Sequence, residues 1–232
     1  MVERSRPVPP PAPMGVDRKA WANELPLSAF INAYYQVRDV RSLPNCQRIL
    51  VVGPGQGLVV PILRWRGYSV ETFDIDSTFA PDHLGSAHDL GRFSAGQFDA
   101  IIVSHVLEHL AEPHLDAALG EMARVGRYSL IYLPVAGRYA SLRMQPGIRH
   151  LDWHLRFNLF NYLERPDGVT RKYSGGEHYW EIGRRGFRVR DVKARLERFF
   201  VIVRAYRNVD WLPSYSFVVQ SRQGRVSTPR SR

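Results

Sequence analysis

The run ILVVGPGQG at 49–57 constrains the fold more than any other feature of this 232-residue sequence. Ile49, Leu50, Val51 and Val52 are apolar without alternation, which suits a strand buried on both faces. Gly53, Gly55 and Gly57 follow at once. Glycines are needed where the backbone turns sharply out of such a strand and where a ligand must approach the chain without meeting a Cβ. From Arg48 onward, short apolar runs alternate with helical segments, the pattern of a mostly parallel sheet wrapped by helices. Strands are expected at 48–52, 69–74, about 84–87, 99–104 and 128–133, and helices at 57–66, 77–82 and 113–125. A helix over 189–198 precedes FFVIVRAY and SYSFVVQ, two runs joined by a turn containing Pro213 and read as an antiparallel pair at the sheet's edge. Ahead of the sheet, Leu27, Phe30, Ile31, Tyr34 and Tyr35 recur at helical spacing after Pro26, which predicts a helix over 27–40 that covers the fold.

The flanks read differently. Residues 1–16 hold Pro7, Pro9, Pro10, Pro11 and Pro13 and are expected to form a poorly ordered arm, with a similar basic tail over 221–232. The domain then spans 17–220. Within it, 135–180 breaks the alternation with aromatics, arginines and turn formers directly after the fifth strand, where an open α/β sheet has its ligand crevice nearby. An inserted helical lid over that crevice is the expectation, with His150 and His154 on one helical face and Arg143, Arg149 and Arg156 able to hold an anionic group.

Composition excludes several classes. With 44% hydrophobic and 23% charged residues the chain is an ordinary globular one, and the single cysteine, Cys46, can form neither an internal disulfide nor a thiolate zinc site. The longest apolar stretch is interrupted by glycine and proline, so a membrane span and secretion are not expected and the cytoplasm is the expected compartment. The net charge of +10, nearly all from arginine, favours anionic partners. Those arginines are spread along the chain, and the densest stretch, 185–200, reads as the wet face of a helix. Nucleic acid is therefore not the favoured partner.

The strand YSVETFDID ends in Asp74, at the distance from the glycine loop expected of a carboxylate that binds ribose hydroxyls. The loop spacing is G-x-G-x-G, and the dinucleotide pattern would need glycine where Leu58 stands. That suits a nucleoside with a charged amino-acid tail rather than a dinucleotide. Taken in order, VVGPGQG, FDID, HDL at 88–90 and QFDAIIVSHVLEHL at 97–110 resemble the successive motifs of the class I S-adenosylmethionine (SAM) dependent methyltransferases, in the branch whose fourth strand runs into a V-L-E-H-L turn. The resemblance covers about residues 46–134. It implies a Rossmann-like, seven-stranded, mostly parallel sheet with helices on both faces and an antiparallel last strand. It also implies that Gly53, Gly55 and Gly57 wrap the methionine part of SAM, that Asp74 binds the ribose, and that Ile75 packs on the adenine. Asp89 and Leu90 would then contact the adenine edge, and Ser104 and His105 would lie beneath the sulfonium. Pro54 and Gln56 depart from the usual loop without removing a glycine.

Methyl transfer from a sulfonium is an in-line displacement, and a hydroxyl acceptor must also lose its proton. His105, Glu108, His109, His150, His154, His178 and Glu181 are the candidate groups. His178, in GEHYWEIG after the expected lid, is the preferred base, with His105 second. His105, Glu108 and His109 fall at i, i+3 and i+4, one face of a helical turn, and resemble the E-x-x-E-H element of metal-dependent small-RNA 2′-O-methyltransferases with histidine in the first place. No tightly held metal is expected there, because the V-L-E-H-L turn has a sufficient structural role. The expected activity is transfer of methyl from SAM to a hydroxyl of a small molecule, glycan or lipid-linked sugar, leaving S-adenosylhomocysteine (SAH). A metal-assisted RNA 2′-O-methyltransferase and a catalytically silent SAM-fold scaffold are the alternatives.

Overall fold

Strand β1 (Arg48–Val52) carries its four apolar residues at the centre of the sheet, with all four buried. It pairs in parallel with β2 (Ser69–Asp74) on one side and β4 (Phe98–Ser104) on the other. β3 (His83–Leu84) extends the sheet beyond β2, and β5 (Gly126–Pro134) lies beyond β4. The last two strands are β6 (Phe200–Arg207) and β7 (Ser214–Ser221), giving the order β3-β2-β1-β4-β5-β7-β6. β7 pairs antiparallel with both β5 and β6, so it alone runs against the sheet. The computed structural model describes residues 25–136 and 178–223. The expected arm over 1–16, nearly all of the expected lid, with His150, His154, Arg143, Arg149 and Arg156, and the tail from 224 lie outside the described residues.

The period of two along each strand divides the core between the two faces of the sheet. Leu50, Val52, Ile101, Val103, Ile131 and Leu133 pack with Leu115, Leu119 and Met122 of α3 (Glu112–Val125) and Leu196 of α4 (Val189–Leu196). Their alternates Ile49, Val51, Ala100, Ile102 and Leu130 pack with Val59 and Leu63 of α2 (Val59–Trp65) and with Tyr35 and Val40 of α1 (Leu27–Arg41). Helices thus cover both faces, as the alternating pattern implies.

Two expected helices differ in detail. In α1, Leu27, Phe30 and Tyr34 face outward, and the buried positions include Gln36 and Asp39. Asp39 chooses that face, because its carboxylate accepts from the Tyr132 hydroxyl (3.0 Å), from Arg204 Nη2 (2.7 Å) and from the Tyr206 hydroxyl. The helix expected over 77–82 is a single 3-10 turn at Ser77–Phe79. Asp76 caps that turn by accepting from the Thr78 amide (2.9 Å), and Ala80, at φ 44°, precedes Pro81, which disfavours helical backbone in the residue before it. Asp82 then returns to the sheet, accepting from the Thr72 amide and hydroxyl at 2.8 Å each. β3 is correspondingly shorter than expected and ends at Leu84.

Beyond β5 the backbone is fixed on both sides of the expected insertion. The Ala136 amide donates to the Ile182 carbonyl (2.8 Å) and the Ile182 amide to that of Pro134 (3.0 Å), so the described residues that flank 137–177 meet at the carboxyl end of β5.

Candidate cofactor and acceptor site

Parallel strands deliver their carboxyl ends to one edge, and the order 3-2-1-4 places a topological switch between β1 and β4, the position where open α/β sheets bind ligands. Gly53 leaves β1 at φ 69°, and Gly55 and Gly57 follow at 53° and 73°. A Cβ on Gly53 would stand 2.2 Å from Val106 Cγ2, so the turn after β4 closes directly on this glycine, whereas a Cβ on Gly57 would meet nothing within 4 Å. One glycine is demanded by close packing, and the other leaves space in front of the loop.

Asp74 ends β2 beside this loop, and its Oδ1 accepts from the Asp76 amide (2.9 Å), which fixes the carboxylate at the strand tip. Ile75, next to it, is a large apolar side chain left 45% exposed, the disposition required of a residue that covers a flat ring. Asp89 is at the surface, where it accepts from the Gly91 amide (3.1 Å). Leu90, expected at the adenine edge, is a core side chain. Its amide donates to Glu121 (3.1 Å) and its carbonyl accepts from Arg124 Nη2 (3.0 Å), so neither backbone group is free for a ligand. Ser86 and His88, the latter being the first residue of the HDL motif, are joined side chain to side chain at 2.7 Å just past the tip of β3.

The acceptor side is built on the turn after β4. The Ser104 hydroxyl accepts from Asn32 Nδ2 of α1 (2.8 Å), and His105 sits at φ 53° with its amide donating to the Tyr132 carbonyl (3.0 Å). The expected helical turn is a 3-10 turn at Leu107–His109, and it buries Glu108 completely. His178 arrives from beyond the insertion, tied by the Tyr179 amide, which donates to the Glu108 carbonyl (2.8 Å). Its Nε2 lies 3.9 Å from Glu108 Oε1, and His105 Nδ1 lies 3.5 Å from the same oxygen. The His109 and His178 rings meet edge to face at 4.9 Å. His178 Nδ1 bonds Glu181 Oε1 (2.9 Å), and Arg184 Nη2 donates to Glu181 Oε2 (3.2 Å). Arg184 was missed from sequence, although the i, i+3 spacing of His178, Glu181 and Arg184 is the signal that could have found it. Burial disfavours ionisation of Glu108, but the adjacent His105 side chain and the fields of His105, His109 and His178 outweigh it, and the carboxyl lies below its ordinary value.

Residues 50–129, which contain the glycine loop, Asp74 and the turn after β4, match the family described as a methyltransferase domain. Over those residues the chain carries a methyltransferase domain. Structures of similar fold include a SAM dependent methyltransferase from Archaeoglobus fulgidus (14% identity, TM-score 0.55, 83% of this chain and 94% of that one). Another is an O-methyltransferase family protein from Burkholderia thailandensis (11%, TM-score 0.54, 88% and 59%). A third is the glycopeptide N-methyltransferase MtfA in complex with SAM (12%, TM-score 0.51, 82% and 92%). At such identities the likeness is one of fold. No curated protein matches in sequence.

No helix among the described residues is long and apolar enough to cross a membrane. Asp74→Ala is expected to weaken SAM binding by about 1–3 kcal/mol, the cost of removing a charged hydrogen-bond partner. Calorimetry checks it, and unchanged affinity would move the ribose contact elsewhere.

Proposed function

We propose that this methyltransferase methylates a hydroxyl group on a small molecule, glycan or lipid-linked sugar, with Gly53, Gly55, Gly57, Asp74 and Ile75 holding SAM and His105 receiving the acceptor proton. One observation carries the reading: His105, Glu108, His109, His178 and Glu181 converge beside the tip of β4. A hydroxyl keeps its proton at neutral pH and must lose it as it attacks, which is the service such groups supply. The acceptor oxygen attacks the methyl carbon as the carbon–sulfur bond breaks, the electron pair stays on sulfur, and SAH leaves while His105 takes the proton.

His105 is favoured over His178 because its side chain is 33% exposed at the strand tip, against 10% for His178. His178 also has one ring nitrogen held by Glu181 and the other turned toward Glu108. Residues 137–177, whose described flanks meet at this edge, are assigned the selection of the acceptor. The net charge of +10 supports an RNA ribose 2′-hydroxyl as the second reading. Incubation with SAM and separate pools of sugars, nucleotide sugars, glycolipids and short RNA, read by SAH release and mass spectrometry, decides between them. Oxygen methylation of a sugar-type acceptor is expected. Methyl found only on nitrogen overturns the hydroxyl reading, methyl found only on RNA establishes the second one, and SAM binding without turnover in any pool supports a silent scaffold.

A further inference from the structure

Glu108 receives favourable charge from its neighbours but no bonded donor. The side chain is fully buried, and neither carboxylate oxygen has a hydrogen-bond partner among the described residues. A buried carboxylate in its ionised form requires compensation by a cation or by several donors. The groups aimed at it are imidazoles that stand short of bonding distance, at 3.5 and 3.9 Å.

The neighbours are arranged as ligands rather than as donors. Glu108, His109 and His178 each offer one ligating atom, and these atoms all lie within 4.8 Å of one another. Donors of one octahedral ion with bonds of about 2.1 Å stand about 4.2 Å apart when opposite and about 3.0 Å when adjacent, so side-chain adjustment brings the three atoms onto one ion. His178 is prepared for that task, because Nδ1 is engaged by Glu181, Glu181 is held by Arg184, and Nε2 is left facing Glu108. Metal-bound histidines usually bond a carboxylate through the ring nitrogen that does not touch the ion. Three protein donors also leave coordination positions open for an acceptor oxygen. Two imidazoles and a carboxylate suit first-row divalent ions better than Mg²⁺ or Ca²⁺.

We propose that Glu108, His109 and His178 bind a divalent first-row metal ion, Mn²⁺ or Zn²⁺ in class, which polarises the acceptor hydroxyl beside His105. The set differs from the one suggested by sequence spacing. His178, 69 positions beyond His109, stands in it where the spacing suggested His105, although His105 Nδ1 still lies 3.5 Å from Glu108 Oε1. A metal on this set departs from the expectation that none is tightly held at this turn. The proposal rests on reading this cluster as the acceptor side of the methyltransferase, and its test keeps the two separate.

The full chain, stripped by chelator and dialysed, is titrated with Mn²⁺ and with Zn²⁺, followed by electron paramagnetic resonance and calorimetry, and SAH binding is measured in the same samples. One equivalent of metal is expected to bind, and pulsed resonance of the Mn²⁺-loaded wild type should show nitrogen couplings from two imidazoles. Glu108→Gln and His178→Ala should weaken binding by more than about 100-fold, the upper limit for outer-shell changes, and Glu181→Gln by about 10–100-fold. No saturable binding in the wild type, no nitrogen couplings, or affinities that the three variants leave unchanged overturn the proposal. SAH binding that persists in such a result leaves the methyltransferase reading standing, and its absence in the wild type removes that reading instead.

Discussion

Turnover should fall about 10²–10⁴-fold in His105→Asn, the range that a positioned general base contributes, while SAM affinity stays close to that of the wild type. Asparagine is preferred to alanine as the replacement because position 105 has φ 53°. Asparagine adopts that left-handed conformation more readily than most residues, so the turn survives while the base is removed. Single-turnover rates with saturating acceptor read the chemical step, and an unchanged melting temperature shows that the turn is intact. A rate within three-fold of wild type, roughly 0.6 kcal/mol on the barrier, would remove His105 from the mechanism and return the proton to His178 or to water on a metal.

Asp39→Ala is expected to cost about 3 kcal/mol of stability, toward the lower end for breaking a buried ion pair. The side chain is fully buried and gathers donors from three elements: Arg38 of α1 (2.9 Å), Tyr132 of β5 (3.0 Å) and Arg204 of β6 (2.7 Å). Burial, and then the adjacent Asp39 charge, push the Tyr132 hydroxyl well above its ordinary value, so it remains a donor and would be stranded by the substitution. The two arginines are 39% and 42% exposed and can rehydrate, which is why the larger figures for buried pairs are not expected. Denaturant unfolding measures the change, and a loss below about 1 kcal/mol would show that α1 is held by its apolar contacts alone. Because Asn32 of α1 donates to Ser104, the same variant should also loosen the mouth of the site.

The sheet was legible because its central strands are buried on both faces and their apolar runs therefore stand out from the helices between them. β1 and β2 have the expected limits, and the final pair occupies the expected edge. The inward face of α1 was not legible. Leu27, Phe30 and Tyr34 form a plausible apolar stripe, but the position of Asp39 relative to Tyr132 and Arg204 decides the orientation, and those partners lie 93 and 165 residues away. The glycine loop and Asp74 were readable from spacing, since both are set by one βαβ unit. The acceptor cluster was only half readable for the same reason. His105, Glu108 and His109 are local and lie together, though on a 3-10 turn that follows a left-handed residue rather than on the expected helical turn. His178 joins them only once β5 has delivered the chain to the same edge.

The place of β7 between β5 and β6 has a consequence for how the chain reaches this structure. β6 leaves the ribosome before β7 yet has no strand to pair with until β7 is inserted beside β5. Until Ser221 has emerged, the inner edge at β5 therefore remains an open template, with Leu130, Ile131, Tyr132 and Leu133 unprotected on it. A nascent chain in that state has a nearly complete nucleotide-binding half beside an unfinished border, the condition in which strands of neighbouring chains compete for the vacancy. Closure of that border is a long-range event, and pairings of that kind slow folding relative to chain length.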